Sequence, residues 1–170
     1  MIQMKQLETT EYKIGDYVFY VRPFPAFTAA KIGADLTKII VPLMSAILPL
    51  FGGIDEDKTL ADIDAAEAGS AIGKAFSDLS TDEFEGLLKK LLIGNENVSV
   101  CGPFTEGATK PLSMDLANEI FCGEVQDMFV LCFYVISLNY KGFFKNLGSR
   151  FGNLIEGLRG QESTNTASLT

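Results

Sequence analysis

The sequence predicts a mainly α protein with a small N-terminal β-hairpin. It is an α+β chain whose helices form one bundle-like domain over residues 1–160, ahead of a disordered polar tail at 161–170. Three observations carry that prediction. Apolar residues alternate on both sides of Gly15-Asp16, a capping box opens at Ser80, and apolar residues recur every three or four positions from Phe129 to Leu158. The first has the period of strands, and the other two belong to helices.

Tyr12 and Ile14 precede the two-residue Gly15-Asp16 link, and Tyr17, Phe19 and Val21 follow it, which places a hairpin at about 10–22. Arg22-Pro23-Phe24-Pro25 stops the pairing, since proline has no N–H to give a ladder. Helices are expected after residue 26. Phe27, Ala30 and Ala34 share one face of the first, Ile39 and Val41 follow, and Pro42 is expected to end or kink it before a second apolar segment, Leu43 to Phe51. Gly52-Gly53 and Asp55-Glu56-Asp57 mark a loop, and the Ala- and Gly-rich stretch 60–77 reads as helix with weak faces.

The next start signal is sharper. Ser80 and Glu83 form the capping box, Leu79 and Phe84 occupy the positions of a hydrophobic staple, and Phe84, Leu87, Leu88, Leu91 and Leu92 make one face before Gly94. Residues 97–104 read as a short strand or extended connection, and Ser113 caps a short helix running through Cys122. After Gly123 comes the long stripe of Phe129, Phe133, Ile136, Tyr140, Phe143, Leu147, Phe151, Leu154 and Leu158. Gly142, Gly148, Gly152 and Gly157 weaken its continuity as a single rod.

Charge narrows the function classes. The net charge is −8, and residues 51–128 hold five basic and sixteen acidic side chains, so the middle is a solvated acidic region with nearly neutral ends. Nucleic acid is not an expected partner, because phosphate neutralisation needs clustered Lys and Arg. Ile39–Ile54 and Met128–Tyr140 contain no charged residue, yet both are shorter than a membrane-spanning helix, and the first carries Pro42 and Pro49. No membrane partner is therefore expected.

The chain has no histidine, which removes the commonest general base and every Ser-His or Cys-His pair. Neither a phosphate-binding loop nor a dinucleotide fingerprint occurs, and no cofactor is indicated. A calcium loop starting at Asp55 fails, with Leu60 where glycine is required and Ala66 where glutamate is required. Cys101, Cys122 and Cys132 lack the spacing of a zinc set and read as buried small apolar residues with free thiols, in a reducing compartment. The N-terminus lacks the pattern of a signal peptide, so Asn97-Val98-Ser99 is not expected to be glycosylated. No enzyme is expected.

The apolar faces remain. The stripe from Phe129 serves either as a core face or as a groove for an apolar partner helix, with Phe129, Phe133, Ile136, Tyr140 and Phe143 as the partner-facing candidates.

Two blocks carry a family likeness. Tyr17-Val-Phe-Tyr-Val-Arg-Pro-Phe-Pro-Ala-Phe27, leading into Thr28-Ala-Ala-Lys-Ile-Gly-Ala-Asp-Leu36, resembles the start of tail assembly chaperones from long-tailed, siphovirus-like phages of Gram-positive bacteria. Phe129-Val-Leu-Cys-Phe-Tyr-Val-Ile-Ser-Leu-Asn-Tyr-Lys-Gly-Phe-Phe144, continuing to Gly148-Ser-Arg-Phe151, resembles their C-terminal helical portion. The resemblance implies a non-enzymatic protein of the host cytoplasm, absent from the mature virion. It would bind the hydrophobic tape-measure protein, keep it soluble, and help recruit tail-tube subunits through a frameshift-extended form. It also implies self-association, for which the edge of the 10–22 hairpin and the apolar 39–51 segment are candidates. The alternatives are a structural tail or head–tail component and a small membrane-associated protein.

Overall fold

A computed structural model of the chain describes residues 4–47, 64–77 and 79–140. The hairpin forms as its alternation requires. Strand β1 (Thr10–Ile14) pairs antiparallel with β2 (Tyr17–Val21), with Tyr12 opposite Phe19 and Ile14 opposite Tyr17. Gly15 takes φ +57° at the turn, a conformation that residues with a Cβ adopt at a cost.

The hairpin is half of a larger sheet. Strand β3 (Val98–Cys101) pairs with β2, and the two-residue β4 (Lys110–Pro111) pairs with β3, giving four antiparallel strands in the order β1-β2-β3-β4. The Val98-Ser99-Val100 alternation puts Val98 opposite Val21 and Val100 opposite Phe19, and all four side chains are fully buried. The strand expected as one alternative for residues 97–104 is present, and the expected N-terminal hairpin is corrected to two strands of a four-stranded sheet. A four-residue strand with one apolar face has little signal of its own and is fixed by the strand beside it.

Helix α1 (Ala26–Ile47) narrows one expectation and departs from another. Of the two outcomes expected at Pro42, an end or a kink, the end is ruled out, since the helix continues to Ile47; a proline removes one backbone bond, to the carbonyl four residues back, and leaves the others in place. Its buried face is not the predicted one. Phe27 is 88% exposed and Ala30 and Ala34 are exposed, whereas Ile32 and Leu36 are buried. A helix start with apolar residues on several faces has the right period in more than one phase, and the larger Ile and Leu side chains take the core.

Helix α2 (Ala65–Phe76) is capped by Asp64, whose carboxylate accepts from the Ala66 and Glu67 amides. The faces that looked weak are weak because they are small. A Cβ on Gly69 would lie 2.7 Å from Val130 Cγ2, and one on Gly73 would lie 3.0 Å from the Phe129 ring. Small residues let α2 sit directly against helix α5 (Val125–Asn139), with α1 on its other flank.

Helix α3 (Thr81–Leu92) follows its sequence signals closely. The reciprocal Ser80–Glu83 capping box is present, and Leu87, Leu91 and Leu92 are buried, with Phe84 and Leu88 half-buried beside them. Lys90–Asp35 at 2.6 Å and Lys38–Glu83 at 3.2 Å tie α3 to α1 across the surface. Helix α4 (Met114–Ile120) starts at Ser113, whose hydroxyl accepts from the Leu116 amide.

Helix α5 ends at Asn139, so the periodic stripe is helical through Ile136 and leaves the helix at Tyr140. Its continuation at Phe143, Leu147, Phe151, Leu154 and Leu158 lies outside the described residues, as do the 161–170 tail, the boundary at 160 and residues 48–63, which take in the loop expected at Gly52-Gly53 and Asp55-Glu56-Asp57. Six of seven consecutive residues from Val130 to Ile136 are buried, on every side of the helix. A helix apolar all round belongs in the middle of a fold. Helix α2 packs on one side, and Tyr134 stacks on Tyr12 of β1 on the other, ring centroids 4.1 Å apart at 15°.

Candidate interaction surfaces

Four of the five partner-facing candidates lie among the described residues, and the fold uses all four internally. Phe133 and Ile136 are buried. Phe129 is half-buried in an edge-to-face trio with Phe76 and Phe84, centroids 6.1 and 6.3 Å away. The hydroxyl of Tyr140 donates to the Ala29 carbonyl at 2.7 Å, and burial, with the Asp35 carboxylate nearby, pushes its pKa up to about 12. Beside it, Asn139 accepts from the Phe24 amide at 2.7 Å and fastens the end of α5 to the entry of α1. Phe143 lies outside the described residues.

A different apolar surface is open. A shallow, open groove of about 590 Å3 lies along α4 and β4, lined by Phe104, Pro111 and Leu116 together with Lys110, Ser113, Asp115 and Glu119. Phe104 is 55% exposed, at a short 3-10 turn, Pro103–Thr105, and its ring stacks at 6.4 Å on Tyr17. The turn is fixed from below by Thr105. That side chain is fully buried, accepts from the Gly102 amide and donates to the Gly102 carbonyl. Met114, at the first turn of α4, adds further exposed apolar surface. The sequence reading did not single out Phe104. Its signal was there: an aromatic residue between Gly102-Pro103 and Gly107 sits in a turn, where no regular face can bury it.

The remaining polar features are structural. Asn97 is buried and donates to the Leu91 carbonyl, so it is no glycosylation acceptor in this fold. Of the three cysteines expected to be buried only Cys132 is, and burial pushes its thiol far up; Cys101 is half-buried and Cys122, just past the end of α4, is exposed. Among the described residues, no cluster of Cys, Asp and Glu could hold a metal, and no helix is long and apolar enough to cross a membrane.

The family model described as phage tail assembly chaperone protein, TAC, matches residues 15–152. The chain belongs to the phage tail assembly chaperones. The match takes in both blocks that carried the resemblance and the whole fold from β2 to the end of α5, so its open surfaces are those of a protein that handles phage tail components. No curated protein and no solved structure matches the chain.

Proposed function

We propose that this chaperone binds the tape-measure protein in the host cytoplasm, keeps it soluble until tail-tube subunits assemble around it, and is left out of the mature virion. The family match is the observation that carries the reading. Physical support comes from the pairing of open apolar surface with surplus like charge. A holdase needs the first for its client and the second to keep the loaded complex dispersed, and this chain has the Phe104–Pro111–Leu116 groove and a net charge of −8.

The groove is the proposed first contact for an apolar helical stripe of the client, because it is open without rearrangement. The α5 residues Phe133 and Ile136 would join only after the helices packed on them had moved, and Tyr140 only after giving up its hydrogen bond to Ala29 of α1. Tail-tube subunits would be brought in by a frameshift-extended form carrying further sequence beyond this domain. The test is an affinity pull-down of the tagged chain from cells expressing the neighbouring tail genes, read by mass spectrometry. Recovery of a very long helical protein together with tube subunits is the expected result. Recovery of the bait alone, or its presence in purified particles, would contradict the proposal.

A further inference from the structure

The two edges of the sheet are finished differently. At one end β4 has two residues, one of them Pro111, the short, proline-bearing finish that keeps an edge from pairing. At the other end β1 has five residues, no proline and an unbroken register with β2, and among the described residues no strand lies on its outer side.

The hairpin geometry says which groups face outward. With a two-residue link, Ile14 and Tyr17 form the first hydrogen-bonded pair, and bonded pairs then alternate with non-bonded ones along the ladder. Thr10, Tyr12 and Ile14 therefore spend their backbone groups on β2, while the N–H and C=O groups of Glu11 and Lys13 point away from the sheet. Both side chains are exposed.

We propose that β1 pairs antiparallel with β1 of a second copy of this chain, about a two-fold axis at Tyr12. In that register Glu11 lies opposite Lys13 of the second copy, and Lys13 opposite its Glu11. All four outward backbone groups on each copy are used, and two opposite-charge pairs form across the junction. Sliding the pairing by two residues sets Glu11 against Glu11 or Lys13 against Lys13, and sliding it by one aligns backbone groups that point the wrong way. The charges that would otherwise guard an exposed edge are thus self-complementary in a single register. The result is a continuous eight-stranded sheet with both β4 edges outermost. This pairing stands independently of which tail protein the chaperone holds.

The test is sedimentation velocity over a concentration series, with circular dichroism on each variant. The chain itself is expected to associate to dimers, and Glu11→Lys and Lys13→Glu are each expected to weaken association by roughly tenfold or more, since attractive pairs become repulsive ones. The double variant Glu11→Lys/Lys13→Glu exchanges the charges without changing their complementarity and is expected to restore the dimer. A chain that stays monomeric at all concentrations would overturn the proposal, as would dimers that survive both single changes or fail to return in the double variant.

Discussion

The α5 stripe and the α4 groove are built from the same kinds of side chain, yet Phe133 is 5% exposed and Phe104 is 55% exposed. The difference lies in what each is attached to. Phe133 belongs to a helix that the small faces of α2 can approach to van der Waals distance, so its apolar surface is closed by the chain itself. Phe104 stands on a turn pinned by Thr105, with only a short helix and the shortest strand beside it, and nothing in the described fold is large enough to cover it. Length and periodicity of an apolar pattern thus identify core here, while a short apolar cluster in irregular structure identifies the open surface.

The largest expected effect separates the two regions by stability. Phe133→Glu buries a carboxylate among apolar side chains and leaves a poorly filled site, at a cost of about 4 kcal/mol or more, enough to unfold a marginally stable domain. Loss of the cooperative thermal transition checks this; a folded Phe133→Glu variant would mean that α5 can present its stripe outward. Next comes Gly69→Leu, whose side chain would run into Val130 and force α2 off α5, at about 2–3 kcal/mol. Urea unfolding measures it, and an unchanged midpoint would mean that the α2–α5 contact is loose.

A third effect is set by pH. Tyr140 ionises near 10 in the unfolded chain and at about 12 in the folded one. Between those values the unfolded chain gives up its proton first, so stability is fully present at neutral pH and falls as pH rises from about 10 through 12. The raised Tyr12 and Tyr134 hydroxyls act in the same direction. Tyr140→Phe should lose roughly 1 kcal/mol at pH 7 with the Ala29 hydrogen bond, and should show a shallower alkaline decline. Unfolding midpoints at pH 8 and pH 11 for both chains decide it.

Much of the fold was legible where local chemistry acts alone. The Gly15-Asp16 turn, the Ser80–Glu83 box and the Ser113 cap each involve residues within a few positions of one another, and all three appear as read. The misreadings and the readings left open lie where distant contacts choose between local options. Helix α1 buries Ile32 and Leu36 rather than Phe27 and Ala34 because of what packs against it, and of the two readings left open for residues 97–104 the strand is chosen because Phe19 and Val21 lie alongside. The candidate surface was less legible still, since an i, i+3, i+4 pattern reports a buried face and says nothing of whether the burial is against the same chain or another.

The most direct test compares Phe104→Glu with the unaltered chain in the tape-measure pull-down. Phe104 is largely exposed, so the change should move the thermal midpoint by no more than about 2 °C. The expected result is a folded variant that no longer recovers the long helical client. A folded variant that recovers it as well as the unaltered chain does would contradict the groove as the client's first contact.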